Sequence, residues 1–510
     1  MRIRLVWSAV LLAVVACTPS DPAGWAKRAA SRSRTQEKLE ALDQCRKAPG
    51  DRKAAVGPLV ELLQAKQAPK VRAQAALILG EIGDPAAAPA LIAAVDPTAA
   101  DREGAEANWR VAEALGALRA REAVPVLRQL TASRDGYTQL KAVDALGAIG
   151  DPAAVDTLAD VARSPAVEAV TAQHAILALG RIGDPRSAPL IVKMMFEERN
   201  GVSFYPQAAF AAVEIGKPMA APLLAVLQGK DAALEAWAKE KKVVQGALYA
   251  KAAQLLGEVG GPEAVPALVN ALAYKDADEG MQQFVRVFSA ESLGRLRARE
   301  AVAPIGALLA RETDPDARIR YCEALARVGD AAALPALRTA AAAKGDWDAR
   351  EGALTALSRL GTKADLPVIE AAAAECTGDC AKARSAALAG MKARLAADCA
   401  DLACWTAKLA DPAAPVRDRA ALEVGRAGTA ASASALAKAM FLPVQDEAGV
   451  AARFHAVLAL DWLTEREKLG DAGQEIAGQI DKMIVAERGR RLTEVVNEDA
   501  LRLAARLRRK

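Results

Sequence analysis

Four cysteines fall close together, in Cys376-Thr-Gly-Asp-Cys380 and Cys399-Ala-Asp-Leu-Ala-Cys404. Four thiolates at short spacings are the donor set of a structural zinc site. Histidine is scarce: His174 and His455 are the only two. A histidine-based nucleophilic triad or a two-histidine metal site therefore has little to draw on. Aspartate recurs in one setting, Ile-Gly-Asp-Pro, which ends at Pro85, Pro152 and Pro185. A glycine-bounded acid used three times is either a repeated acid or phosphate loop, or the hinge of a structural repeat. The dedicated signatures His-Glu-x-x-His, Gly-x-Ser-x-Gly, Gly-x-x-x-x-Gly-Lys-Ser/Thr and Gly-x-Gly-x-x-Gly do not occur.

The elements that would position these residues decide between the readings. Aligned on the second glycine of Leu-Gly-x-x-Gly, Gly83, Arg119, Gly150, Gly183, Gly216, Gly260, Arg297, Gly329, Gly361, Arg394 and Gly428 fall in register, at a period of about 33 residues. Before each lies an alanine-rich stretch with Leu, Ile or Val at helical spacing, such as LKAVDALGAIG and QHAILALGRIG. The glycine suits the left-handed position that ends a helix. Asp84, Asp151 and Asp184 then suit the N-cap of a second helix, and Pro85, Pro152 and Pro185 its first position. A capping aspartate is occupied by backbone N–H groups, so no catalytic residue is assigned. Both histidines occupy the slot that holds Gln74, Arg110, Lys141, Lys251, Arg320 and Arg419 in other repeats. That slot is expected to face solvent, with its cations in local ion pairs.

Residues 312–337, ETDPDARIRYCEALARVGDAAALPAL, and 411–436, DPAAPVRDRAALEVGRAGTAASASAL, resemble HEAT repeats of the short type named after phycobilin lyases. The resemblance spans roughly Ala54 to Leu463 and implies an all-α fold, a right-handed α-solenoid of about eleven two-helix repeats with terminal capping helices. It implies a binding role rather than a particular reaction. The expected organisation is a signal peptide (1–16), a tether (17–34), an N-terminal capping helix (35–52), the solenoid (53–470) and a C-terminal helical cap (471–510). Repeat phase also bears on the cysteines. A helix over Ala381–Asp398 spans about 27 Å and holds the two pairs apart, so the expectation is local bridges, Cys376–Cys380 and Cys399–Cys404, with no metal site. Cys45 and Cys322 are expected to be free thiols.

The chain begins MRIRLVWSAVLLAVVAC. Arg2 and Arg4 precede an apolar run, Leu5 to Ala16, that is too short to span a bilayer and fits the hydrophobic region of a signal peptide. Val14-Val15-Ala16-Cys17 resembles the lipobox of bacterial lipoproteins, which implies cleavage before Cys17 and lipidation of that residue. Thr18 in place of aspartate implies, under the usual sorting pattern, the outer membrane facing the periplasm. Thr18 to about Arg34 is expected to be a flexible link.

Lysine and arginine total 67 against 63 acids, a balance that does not suggest a nucleic-acid binder. The non-uniform parts are insertions between repeats, and the scarce aromatics gather there. Trp109, Phe204, Tyr205, Trp237, Tyr274, Phe284 and Phe441 are the candidate partner-binding residues. The expected function is a non-catalytic, lipid-anchored scaffold of the bacterial cell envelope that holds protein partners, with no cofactor and no small-molecule substrate. The alternatives are a small-ligand carrier or lyase-like factor, and a binder of an anionic envelope polymer.

Overall fold

The structure, a computed structural model, describes residues 19–99, 101–343, 347–375, 377–397 and 399–508. The chain forms two compact units, Met1–Ala211 and Ala212–Lys510. No single helix among the described residues is long and apolar enough to cross a membrane.

In the first unit, α1 (Pro22–Ser31) packs against α2 (Thr35–Lys47). The link expected over residues 17–34 is thus largely helical. Asp21 caps α1 by accepting from the Gly24 N–H, Pro22 supplies the first helical position, and Ala26 and Ala29 are fully buried. Small side chains on that face let the two helices approach closely, which the polar and basic composition of the stretch concealed. The long helices α3 (Pro69–Ile82), α4 (Arg102–Ala117), α5 (Gly136–Ile149) and α6 (Ala169–Ile182) follow, each paired with a short helix. Glu198–Arg199 and Val202–Ser203 form an antiparallel hairpin. Asn200 and Gly201 both take positive φ at its tip, the geometry of a tight two-residue hairpin turn.

The Gly-Asp-Pro segments are hinges. Gly83, Gly150, Gly183 and Gly329 sit at φ of 71–72° and end their helices. Asp84, Asp151 and Asp184 accept from the N–H two residues on, at 3.0, 2.8 and 2.9 Å. The prolines open a 3-10 turn, and the α-helix proper starts three residues later. Pro89 and Pro189 therefore stand in the first turn of that short helix, where a missing N–H costs no hydrogen bond.

The second unit continues with α7 (Gln245–Val259), α8 (Glu279–Arg295), α9 (Pro315–Val328), α10 (Trp347–Leu360), α11 (Asp379–Ala396) and α12 (Ala414–Ala427), again each with a short partner helix. Here the hinge departs from the expectation in two ways. Gly260 and Gly428 are extended, with φ of −73°. Glycine is required at Gly260 for space instead: a Cβ there would stand 2.4 Å from the Leu256 carbonyl oxygen. Arg394 lies inside α11, and its guanidinium donates to the Ser358 and Gly361 carbonyls at 2.9 and 2.6 Å. It thereby satisfies carbonyl groups left open at the end of α10. Arg297 keeps the left-handed conformation, at φ 53°.

Three further helices close the unit: α13 (Glu447–Arg466), α14 (Gly470–Ala486) and α15 (Glu494–Leu507). Leu460, Leu463, Ile476, Ile480, Leu503 and Leu507 form one core among them, continuous with Leu436 and Met440 of the preceding short helix.

Long helices meet through the Leu-Gly position. A Cβ on Gly116 would lie 2.9 Å from the Ala145 Cα, and one on Gly147 2.8 Å from the Ala178 Cβ. Gly116→Val is expected to lower stability by about 1–3 kcal/mol through overpacking, read as a lower urea midpoint. A midpoint equal to wild type would remove close backbone approach as a determinant of the stack.

Candidate functional site

Several members of the polar slot on the long helices are held in ion pairs. In the first unit Arg110 and Lys141 converge on Glu113 at 3.1 and 2.8 Å, and His174 Nδ1 stands 2.6 Å from Asp144. In the second, Arg320 reaches Glu291 at 2.8 Å and Arg419 pairs with Glu423. Surface pairs of this kind contribute little each. His455 corrects the solvent-facing expectation: it is 2% exposed, with Nδ1 against the Asp418 carboxylate. Burial alone would raise the Asp418 carboxyl. The charges of His455, Arg359 and Arg419, with the His455 hydrogen bond, outweigh it and hold the group below the usual carboxylate range.

The candidate aromatics stand in different settings within their units. Trp109 packs edge-on to Tyr137 at 5.1 Å and under Arg110. Phe204 is 1% exposed; the hairpin folds it inward, with Arg199 over its ring, so it is not presented to a partner. Tyr205 and Trp237 are half-buried. Tyr274 packs against Tyr249 and donates to Asp276 at 2.6 Å. Phe441 lies against the core around α13. Phe284 is the exposed one of the set, at 49%, stacked on Phe288.

The densest chemistry lies among residues that the repeat pattern did not single out. The residue directly after the Leu-Gly position is Glu258 on α7 and Arg295 on α8, and the equivalent positions on α9 and α10 are Arg327 and Arg359. The terminal helices dock on this row. Arg506 of α15 donates to the Glu258 carbonyl at 2.7 Å and to Asp461 at 2.8 Å. Arg295 and Arg502 approach the Glu258 carboxylate at 3.1 and 3.3 Å. Asp499 takes Arg295 and Arg502 in turn, at 3.5 and 3.4 Å. The Trp462 indole donates to the Arg295 carbonyl at 3.1 Å, and Arg297 stacks 3.8 Å over its ring. Burial would raise the Glu258 carboxyl, but Arg295, Arg506 and Arg502 outweigh it and lower it. This face of the long helices is thus partly occupied by the chain's own terminal helices. The signals were weak: Asp461 replaces the glycine of the Leu-Gly position, Trp462 takes the register position of Glu258 and Arg295, and Arg502 and Arg506 share a helix face at i, i+4.

Between the row and the docked helices lies a cavity of about 560 Å³, lined among others by Arg327, Arg359, Phe454, His455, Glu447 and Glu498. No cluster of three or more metal-ligating side chains occurs among the described residues.

Cys399 and Cys404 are joined in a disulfide across the α11 exit, their Cα atoms 5.5 Å apart. The expected Cys376–Cys380 bridge lies outside the described residues, as does Cys17. Cys45 and Cys322 are free and buried, and burial pushes their thiols up to about 11 and about 12.

Glu258→Gln leaves three guanidinium groups around a neutral amide. It is expected to cost about 3–5 kcal/mol, seen as a lower urea midpoint and faster proteolysis of the α13–α15 segment; wild-type values for both would show that another contact fastens these helices. Iodoacetamide at pH 8 is expected to spare Cys45 and Cys322 in the folded protein and to modify both in urea. Fast labelling of Cys322 without denaturant would contradict its enclosure.

The family model for HEAT repeats matches residues 23–109, 101–173 and 302–390. That for the PBS lyase HEAT-like repeat matches 173–196 and 248–274. No curated protein matches the chain. Among solved structures it is similar to human deoxyhypusine hydroxylase in complex with glycerol, at 22% identity over 54% of this chain and 95% of that one, with a TM-score of 0.23. It is also similar to the karyopherin Kap121p bound to the SUMO protease Ulp1p, at 10% identity over 94% of this chain, TM-score 0.45. The chain covers 63% of that Kap121p chain. The Kap95:Nup1 complex is similar at 13% identity over 96% of this chain and 70% of that one, TM-score 0.41. Likenesses this distant carry nothing about activity. The matched repeats and the helix pairs agree: this is an all-α protein of HEAT repeats, some of the PBS lyase HEAT-like kind, stacked as a solenoid within each unit.

Proposed function

We propose that the chain is a protein-interaction scaffold of the bacterial cell envelope, non-catalytic and held to a membrane by lipid on Cys17. The observation that carries the scaffold reading is the stack of HEAT-repeat helix pairs, whose recurring aspartates are spent on helix caps. The recurring slot cations are spent on neighbouring carboxylates, which leaves little to support binding of an anionic polymer. Val14-Val15-Ala16-Cys17 supports the anchor, and Thr18 supports the outer membrane.

The helical α1 sharpens the anchoring reading. Cys17 and Pro22 are five residues apart, a reach of at most about 18 Å. A lipid on Cys17 would therefore hold α1 against the headgroups. Lys27, Arg32 and Arg34 are exposed there and suit an anionic surface.

Cys17→Ser is expected to move the protein from the membrane fraction to the soluble fraction, while wild type remains with membranes after a high-salt wash. Membrane retention of the variant would refute the anchor. For the scaffold, affinity capture of the full chain from detergent-solubilised membranes should recover a stoichiometric protein; a chromophore or glycan in its place would refute it.

A further inference from the structure

Basic charge is segregated near the start of the folded chain. Residues 18–53 hold nine Lys and Arg against five Asp and Glu, whereas from Ala54 onward the acids outnumber the bases, 58 to 56. Part of the surplus gathers on α1 and the turn to α2. Successive residues of a helix turn by about 100°, which puts Lys27 and Arg28 on the side away from the buried Ala26 and Ala29. Neither makes an ion pair among the described residues; Arg28 stacks 5.3 Å over the Trp25 ring. Ser31 to Gln36 are exposed without a break. Within that stretch Arg32 and Arg34 share one acid, Glu37, at 3.8 and 3.9 Å, contacts too long and too exposed to take up both charges. The helix that carries this face is not a loose arm. α1 packs on α2 and on the short helix Val56–Glu61, and its Pro22 carbonyl accepts from the buried Cys45 thiol at 3.3 Å. The basic face is therefore fixed to the body of the first unit.

We infer that this face binds the anionic headgroups of a lipid bilayer and thereby sets how the first unit stands on it. Pro19, the first described residue, lies two positions after Cys17 and three before the start of α1. A bilayer held at Cys17 is thus the surface nearest to these cations. The short link makes the contact intramolecular, which raises its effective concentration. Each basic residue close to an anionic surface adds about fivefold to binding. An acyl anchor alone leaves the unit free to swivel; a charged face on a packed helix pair removes that freedom. The contact deepens the membrane reading above and rests on it for the nearness of a bilayer.

The test is co-sedimentation of residues 18–510, which include every described residue and lack Cys17, with phosphatidylcholine vesicles that contain either no phosphatidylglycerol or about one-third of it. Binding is expected to the anionic vesicles only, and to disappear at about 0.5 M salt, where charge is screened within a few ångströms. Lys27→Gln/Arg28→Gln/Arg32→Gln/Arg34→Gln should weaken it by about tenfold or more. The same loss of charge at other exposed positions, Lys230→Gln/Lys239→Gln/Lys241→Gln/Lys242→Gln, should not. No binding, equal binding to neutral vesicles, unchanged affinity in the first variant, or a comparable loss in the second would overturn the proposal. If the first variant fails to fold by circular dichroism, amine footprinting of the wild type decides instead. Anionic vesicles should slow acylation of Lys27 and leave Lys239 as it was; an unchanged rate at Lys27 would sink the idea. Because these samples lack Cys17, a negative result leaves the lipid anchor standing. Failure of the anchor, read from Cys17→Ser in cells, leaves vesicle binding measurable.

Discussion

Every layer of this protein rests on how closely neighbouring long helices can approach. One repeat buries only part of its apolar surface, so it is stable only against the next. The approach is set by glycine on one helix and alanine on the other, as at Gly116 over Ala145 and Gly294 over Ala324. Dispersion falls off steeply with separation, so contact at this distance is what makes an alanine-rich helix a useful core element. The leucines on either side, such as Leu115 and Leu146, then fill the layer and are fully buried.

The hinge follows from the same requirement. A long helix must stop abruptly for a short one to turn back beside it. Gly83, Asp84 and Pro85 divide that task into a left-handed stop, a cap and a restart. Their chemistry is periodic and local, so it was legible in the sequence, and with it the helix pairs and the register of the stack. Local signals also served at Cys399 and Cys404, where the bridge closes a short turn. They failed where a fit between distant segments decides. The α1–α2 pairing depends on Ala26 and Ala29 meeting another helix, which a basic, small-residue stretch does not announce. Phe204 looked like an anchor because it sits in an insertion, yet Asn200-Gly201 folds that insertion into a hairpin that encloses it.

The candidate site was illegible for the same reason. Each member of the Glu258 cluster is an ordinary charged residue of its own helix: Arg295 one repeat on, Asp461 on α13, Arg502 and Arg506 on α15. Only the docking of the terminal helices turns them into a network, and only then does the wall of Arg327, Arg359 and His455 enclose a space. Buried charge of this kind is poor evidence of stabilisation relative to apolar packing. It does select one way of seating the helices, because any other seating leaves Glu258 or the arginines unmatched.

The Arg506–Glu258 contact also bears on the order in which the second unit folds. Contacts within the stack join residues about one repeat apart, so the helix pairs can form by propagation from any nucleus. The bond from Arg506 to the Glu258 carbonyl spans 248 residues of sequence. Closing so long a loop costs entropy that no neighbouring repeat returns until the intervening helices are in place. The seating of α15 is accordingly a late step. A nascent chain would carry the row from Glu258 to Arg359 open and charged for as long as the last helix is still being made.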